Sequence, residues 1–211
     1  METLLDQGLL WRTRDRRKAR ERPHWPTGFS RLDAILPDHG WPVGEMVELL
    51  VERLYQGEIL LLLPLLGQVS KKQYIAWVNP PNIPYPVALR QWGVNLSRVL
   101  WIRTPDEESA WAVEQLAASG HLGSLLFWPG TLTYPHSRRL QLAASSGSCC
   151  VFILRTLRHR DTSSGAALRL TLRPSSSDQA TRPGLNIEIV KGRSSVHRHT
   201  YLQLDAYSPR S

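Results

Sequence analysis

Residues 46–66 read MVELLVERLYQGEILLLLPLL and combine a strand pattern with a helix pattern. The first six residues, 46–51, are almost all apolar, which predicts a β-strand buried on both faces of a sheet. The residues from Gly57 to about position 70 predict a helix, in which Pro64 lacks a backbone donor and should kink the helix or mark its true start. Residues 51–59 therefore form a strand-to-helix loop.

This loop stands where a nucleotide-binding loop would lie, but it lacks the residues for that task. The pattern G-x-x-x-x-G-K-[ST] cradles a phosphate with backbone N–H groups, neutralises it with lysine and holds magnesium through the hydroxyl. If Gly57 is the second glycine, Glu52 replaces the first. Glu58 then replaces the lysine and Ile59 the hydroxyl. We predict no nucleotide cofactor here; an ordinary connection with Gly57 as a turn residue is the alternative.

Outward from this stretch, strand patterns alternate with helix patterns. Strands are predicted at 74–78, 99–102, 122–128 and 149–154, and helices at 84–92, 105–119 and 135–146. Three further extended segments follow without a helix between them, at 167–173, 185–190 and 200–204. The predicted fold class is therefore α/β, with a mostly parallel central sheet flanked by helices and extended by C-terminal antiparallel strands.

Length and composition favour a single soluble domain. A chain of 211 residues is long enough to bury a continuous core. Its two cysteines, Cys149 and Cys150, are adjacent and should point to opposite faces of a strand, which disfavours a disulfide or a metal site and favours a reducing compartment. The longest apolar run, residues 59–66, is far shorter than the roughly 18 residues that a membrane span needs. We expect a cytoplasmic protein with no membrane partner.

The net charge of +8 is concentrated near the N-terminus. Residues 11–22 contain seven basic and two acidic residues, a net charge of +5. Such a run can bind phosphates by releasing counterions, so Arg14, Arg16, Arg17 and Lys18 are candidate DNA contacts. A solvated tail that aids solubility is the alternative. A second basic cluster, at 155–160, precedes a Ser/Gly-rich turn and is predicted to be an exposed loop.

Several strings resemble known bacterial families. TGFSRLD at 27–33, followed by GWPVGEMVEL at 40–49, resembles the start of the core in RecA recombinases. A closer resemblance is to ImuA, a RecA-like family of SOS-induced translesion synthesis. It rests on WVNPP at 77–81, RRLQLAA at 138–144 and LRL at 168–170. The leucine run at 60–66 and the Trp77 strand also resemble the SulA cell-division inhibitors. The resemblance covers about residues 27–193.

The resemblance implies a RecA-like core that has lost its hydrolytic site. Where such a core would place a magnesium-binding acid, the strand at 122–127 runs into Trp128-Pro129. We therefore expect no enzyme activity, no catalytic residue and no metal site. The expected division is a basic N-terminal arm at 1–26, a degenerate RecA-like domain at 27–205 and a short tail at 206–211. By position in the family, Arg155, Arg158 and Arg160 become candidate DNA contacts.

Three functions remain open on this resemblance. The first is a non-catalytic adaptor of mutagenic translesion synthesis, which holds an ImuB-type polymerase-like protein and an error-prone replicative-type polymerase and is nucleoid-associated when engaged. The second is a SulA-like inhibitor that binds the division protein FtsZ. The third, a DNA-dependent ATPase or recombinase, is disfavoured by Glu52 and Glu58. Direct DNA binding and self-association are left open, as is a partner-binding role for the helix after Gly57.

Overall fold

The computed structural model describes residues 23–54, 57–175, 184–192 and 198–204. Its strands are β1 (His24–Trp25), β2 (Trp41–Pro42), β3 (Met46–Val51), β4 (Tyr74–Val78), β5 (Val99–Ile102), β6 (Leu122–Phe127), β7 (Cys150–Thr156), β8 (Leu168–Pro174), β9 (Gly184–Lys191) and β10 (His199–Gln203). Its α-helices are α1 (Ser30–Ile35), α2 (Glu58–Val69), α3 (Pro86–Gln91), α4 (Asp106–Ala118) and α5 (Tyr134–Gly147). Short 3-10 turns cover Leu96–Arg98 and Leu157–His159.

One eight-stranded sheet organises the chain, in the order β10-β9-β8-β3-β7-β6-β4-β5. The six strands from β8 to β5 pair in parallel, because helices or long loops return the chain to the same edge before each new strand. β9 and β10 add two antiparallel pairings. The carboxyl ends of the parallel strands therefore meet at one edge of the sheet.

Both faces of the sheet are covered. On one face, α1 and α2 pack over Val47, Leu49 and the leucines of β8 and β9. On the other, α4 and α5 pack over Met46 and the inward residues of β6 and β7. β3 is buried at all six positions, as its apolar run predicts for a central parallel strand. Cys149 and Cys150 belong to opposite clusters, which confirms their predicted placement on two faces.

The RecA-like fold class predicted from the sequence is wrong and is corrected to a mixed α/β fold around one large sheet with parallel and antiparallel pairings. The physical reason is that alternating strands and helices dictate a mainly parallel sheet in many α/β proteins, and they do not single out one family among them. The predicted segments themselves are strands and helices at the expected places, with shifts of a few residues at their ends.

The structure settles the starts of two helices. Of the two roles predicted for Pro64, marking the start of α2 is ruled out, because the helix already begins at Glu58 and contains the proline within it. At the start of α4, Pro105 is the N-cap residue and makes no side-chain cap bond, while the Thr104 hydroxyl donates to the Pro105 carbonyl at 3.0 Å. Of the predicted N-terminal arm, residues 1–22 lie outside the described residues.

Candidate partner-binding site

An apolar groove of about 220 Å³ opens at the carboxyl ends of β4 and β6. β4 ends before Asn79-Pro80-Pro81, where two prolines cannot donate to a neighbouring strand and so turn the chain out of the sheet. β6 is followed by Trp128, and the first turns of α2 close the opposite wall. The groove is lined by Ile59, Leu60, Leu63, Trp77, Pro80, Pro81, Asn82, Ile83, Pro84, Tyr85, Ala88, Leu89 and Trp128.

Trp77 and Trp128 form the floor of the groove, and a third tryptophan, Trp101, stacks on Trp77. Trp77 lies between Trp101 and Trp128, with ring centroids 6.4 and 5.5 Å away. The three residues come from β5, from β4 and from the end of β6, so adjacent strands hold the rings in place. Aromatic pairs at such distances contribute about 0.5–1.5 kcal/mol each beyond their buried area. The floor is therefore a fixed surface, as expected of a site that receives a ligand without rearrangement.

The rim of the groove is an exposed ridge of apolar side chains separated by prolines. Ile83 is 75% exposed and Tyr85 69% exposed. Pro84 and Pro86 alternate with them and fix the backbone φ angle on either side of Tyr85. Large apolar side chains exposed side by side mark interaction sites more often than scattered ones do. Because the prolines already restrict the chain, ordering this ridge against a partner loses little entropy.

Sequence reasoning missed both the groove and the ridge. Trp77 and Trp128 are buried, while Trp101 is partly exposed. The signal for the ridge was present, however, since residues 80–87 alternate prolines with Ile83, Tyr85 and a valine. No charged residue interrupts that alternation.

Arg155, one of the three loop arginines predicted to contact DNA, is buried. It belongs to β7, and it donates to Glu48 Oε1 at 3.0 Å. The other oxygen of Glu48 accepts from Arg169 Nε at 2.5 Å. All three side chains are at most 8% exposed. Arg155 therefore holds β7 to β3, and its guanidinium is directed into the protein.

Arg158 and Arg160 are exposed, as the sequence predicted for this loop. Arg158 Nε donates to His159 Nε2 at 3.0 Å, and Arg160 forms a weak ion pair with Glu188 at 3.4 Å. Partial burial, with the charges of Arg155 and Arg158, lowers the pKa of His159. A DNA contact at Arg158 and Arg160 stays a prediction. Arg14, Arg16, Arg17 and Lys18 lie outside the described residues.

In the described part of the loop that was compared with a phosphate-binding loop, Gly57 lies against the side chain of Leu204. Gly57 has a φ of 109°, a left-handed conformation that favours glycine, and a Cβ placed there would lie 2.7 Å from Leu204 Cδ1. Glu58 is buried in the first turn of α2, where the helix dipole favours a carboxylate. Glu52 is about half exposed, and Ile59 lines the groove. The absence of a nucleotide cofactor stays a prediction.

Two further features bear on site chemistry. Among the described residues, no three histidine, cysteine or acidic side chains are grouped so that they could hold a metal ion. Within that same part of the chain, no helix has the length and apolar character to cross a membrane. The arrangement offers an apolar groove with an aromatic floor, which is suited to binding a protein segment.

Comparison with known proteins identifies relatives. No family model matches the chain. The cell division inhibitors SulA of Yersinia pestis (strain Pestoides F) and Yersinia pseudotuberculosis (serotype O:1b) are each 32% identical to it over 114 residues, which is 53% of this chain and 68% of each relative. A crystal structure of SulA from Pseudomonas aeruginosa aligns with 52% of this chain and 97% of its own, at 20% identity and a TM-score of 0.43. The two Yersinia relatives are SulA proteins and not RecA recombinases, so the sequence match does not support the predicted RecA-like class.

Proposed function

Because the chain belongs to the family of the SulA cell division inhibitors, we propose that it inhibits bacterial cell division in the SOS response by binding the division protein FtsZ. The observation that carries the proposal is the 32% identity across 68% of the length of the Yersinia inhibitors. The proposed inhibitor acts in the cytoplasm and uses no catalytic step, because in this proposal it works by occupying a surface of FtsZ.

The exposed apolar surface supports an activity of this binding type. Ile83 and Tyr85 form a rigid ridge beside an open groove, and tyrosine is among the residues that dominate binding energy at protein interfaces. By contrast, Arg155 is turned inward to Glu48 and is a poor group for external contacts. A protein partner fits the groove better than a charged small molecule would, because its lining is almost entirely apolar.

The test uses the full chain in living cells and with purified FtsZ. Expression from an inducible promoter in a rod-shaped bacterium should give long filaments with segregated nucleoids, and the purified chain should lower the amount of FtsZ that sediments with GTP. An empty vector and an unrelated basic protein of similar size serve as controls. Normal cell length at high expression, together with unchanged FtsZ sedimentation at a ten-fold excess of the chain, would refute the proposal.

A second candidate is the translesion adaptor of the ImuA type. It is favoured by the extent of the match to SulA, which covers only 53% of this chain and leaves nearly half without a counterpart in that match. In this proposal the chain binds an ImuB-type polymerase-like protein and an error-prone polymerase at the nucleoid, with Arg158 and Arg160 near DNA. A tagged chain recovered from damaged cells should then carry a polymerase-like protein. Recovery of FtsZ instead would support the inhibitor.

A further inference from the structure

The half of the sheet that carries the groove contains no acidic residue. From Ile59 to Pro105 the chain has no Asp or Glu, but five basic residues: Lys71, Lys72, Arg90, Arg98 and Arg103. This segment includes most of α2, all of β4, α3 and β5, and every lining residue of the groove except Trp128. The segment that lines the groove therefore has a net charge of +5, with the exposed acids Asp106, Glu107 and Glu108 directly after it. The positive charge of the segment favours the approach of acidic partners.

Arg103 is a basic residue at the same edge of the sheet as the groove. It follows β5 and lines an open polar hollow of about 490 Å³, together with Asn79, Pro80, Pro81, Thr104 and Pro105. Pro80 and Pro81 line both this hollow and the groove, so the two are neighbours that share one wall. An extended chain of a few residues can span them.

Arg103 is available to an external carboxylate. It is exposed, and no carboxylate of the described residues pairs with it. The acid closest to it in sequence, Asp106, is already occupied: its two carboxylate oxygens accept from the backbone N–H groups of Gly130 and Thr131 at 2.9 and 3.0 Å. A guanidinium beside an apolar groove suits a ligand that carries both an apolar side chain and an acid.

We propose that the groove and the Arg103 hollow form one docking site for an acidic protein segment with an apolar anchor. The anchor fills the groove against Trp77, Trp128 and Tyr85, and a flanking carboxylate pairs with Arg103. The docking site rests on the proposed function, because it names the chemistry by which the division protein is held. The acidic segment then belongs to FtsZ.

Two other occupants fit less well. A second copy of this chain carries the same net charge of +8 and would meet the basic surface with repulsion. A nucleic acid strand would place its phosphates beside a groove whose lining is apolar, where charged groups lose hydration without gaining partners. An acidic segment with an apolar residue satisfies both halves of the site.

The first arm of the test compares four full-length variants for binding to purified FtsZ. Tyr85→Ser and Arg103→Glu should each weaken the affinity by about ten-fold or more, as expected for an anchor contact and for a charge reversal. Leu142→Ser is the matched control for Tyr85, since Leu142 is 64% exposed on α5, across the sheet from the groove. Lys72→Glu is the control for Arg103, because Lys72 is exposed but precedes β4 at the opposite end of the strand. Circular dichroism establishes that each variant is folded.

The outcomes separate the docking site from the proposed function. If the parent chain binds FtsZ, and the two site variants are weakened while the controls stay within two-fold, the docking site is supported. If the parent binds and all four variants stay within two-fold, the docking site is wrong while the proposed function stands. If the parent does not bind FtsZ, the proposed function fails and the second arm decides on the docking site.

The second arm uses a synthetic ten-residue peptide with one phenylalanine between aspartates. Its binding to the labelled parent chain is followed by NMR, with a version that has lysine in place of aspartate for comparison. Shifts should be confined to the groove and Arg103, should need the aspartates and should disappear in Arg103→Glu. Equal binding of the lysine peptide, shifts elsewhere on the surface, or displacement of the peptide by a single-stranded oligonucleotide would overturn the proposed chemistry.

Discussion

Replacing Glu48 by glutamine should cost this protein a large part of its stability. The Glu48 carboxylate is 1% exposed and holds the guanidinium groups of Arg155 and Arg169, each 8% exposed, at 3.0 and 2.5 Å. Glutamine keeps the shape of the side chain but removes the charge, so two buried cations lose their counter-ion. Removing one partner from a buried ion pair costs about 3–5 kcal/mol.

Urea unfolding at pH 7, followed by circular dichroism, measures this loss. With a denaturant dependence of about 2 kcal/mol per molar urea, the midpoint of Glu48→Gln should lie about 1.5–2.5 M below that of the parent chain. Glu188→Gln is the matched control, because its pair with Arg160 is exposed on both sides and should contribute at most about 1 kcal/mol. A midpoint within about 0.5 M of the parent's would refute the conclusion that the charge of Glu48 stabilises the fold through Arg155 and Arg169.

The same cluster decides how a DNA contact should be tested. A triple alanine variant of Arg155, Arg158 and Arg160 would unfold part of the chain through Arg155 and would lose DNA binding for that reason alone. Arg158→Ala with Arg160→Ala leaves Glu48 and its two partners in place. Only this double variant separates a phosphate contact from a stability effect, and unchanged binding to single-stranded DNA at low salt would exclude the loop.

Three further predictions concern close packing, thiols and pH. In Gly147→Ala the new Cβ would lie within 1.9 Å of the Ala117 carbonyl oxygen, so the melting temperature should fall by an amount that corresponds to about 1–3 kcal/mol; an unchanged melting temperature would contradict the close approach of α4 and α5. Burial raises the pKa of Cys150 to about 12 and that of Cys149 still further, so a thiol reagent at pH 8 should react with neither residue until the chain is unfolded; rapid reaction of the folded protein would contradict this. Because burial, followed by neighbouring positive charge, lowers the pKa of His159 below its ordinary 6.5, the unfolded state binds more protons at acid pH, and the free energy of unfolding should decline as the pH falls below 6.5. His159→Asn should remove that part of the decline between pH 7.5 and 5.5, and an identical decline in the variant would contradict the assignment.

Local patterns in the sequence predicted the strands and helices well. β4 was predicted at residues 74–78 and is observed as Tyr74–Val78, because its apolar residues are bounded by polar residues before it and by prolines after it. The strand before the basic loop was predicted to end at residue 154, but β7 continues to Thr156. The alternation of side chains between the two faces of a strand could have predicted the longer strand, since Val151, Ile153 and Arg155 share one face.

Interactions between distant residues could not be predicted in this way. Glu48 binds partners that lie 107 and 121 residues further along the chain, and no local pattern reports a pair at that distance. The residue that looked like an external phosphate contact, Arg155, is therefore an internal support. The prediction of a RecA-like fold was wrong for a related reason. The sequence strings that suggested it specify turns and strand ends, which proteins of several α/β families share.

The position of the groove bears on what this fold can bind. In open α/β sheets, ligands lie at the carboxyl ends of the strands, because loops and helix N-termini converge there. In this chain that edge carries Trp77 and Trp128, while Leu204 packs against Gly57 in the loop before α2. Apolar side chains thus stand where polar ligands would need hydrogen-bond donors. Arg103, which no carboxylate of the described residues pairs with, lies in the neighbouring hollow, on the other side of Pro80 and Pro81. A ligand that matches this edge must be apolar at its centre and acidic beside it, and a protein segment meets both conditions on one short chain.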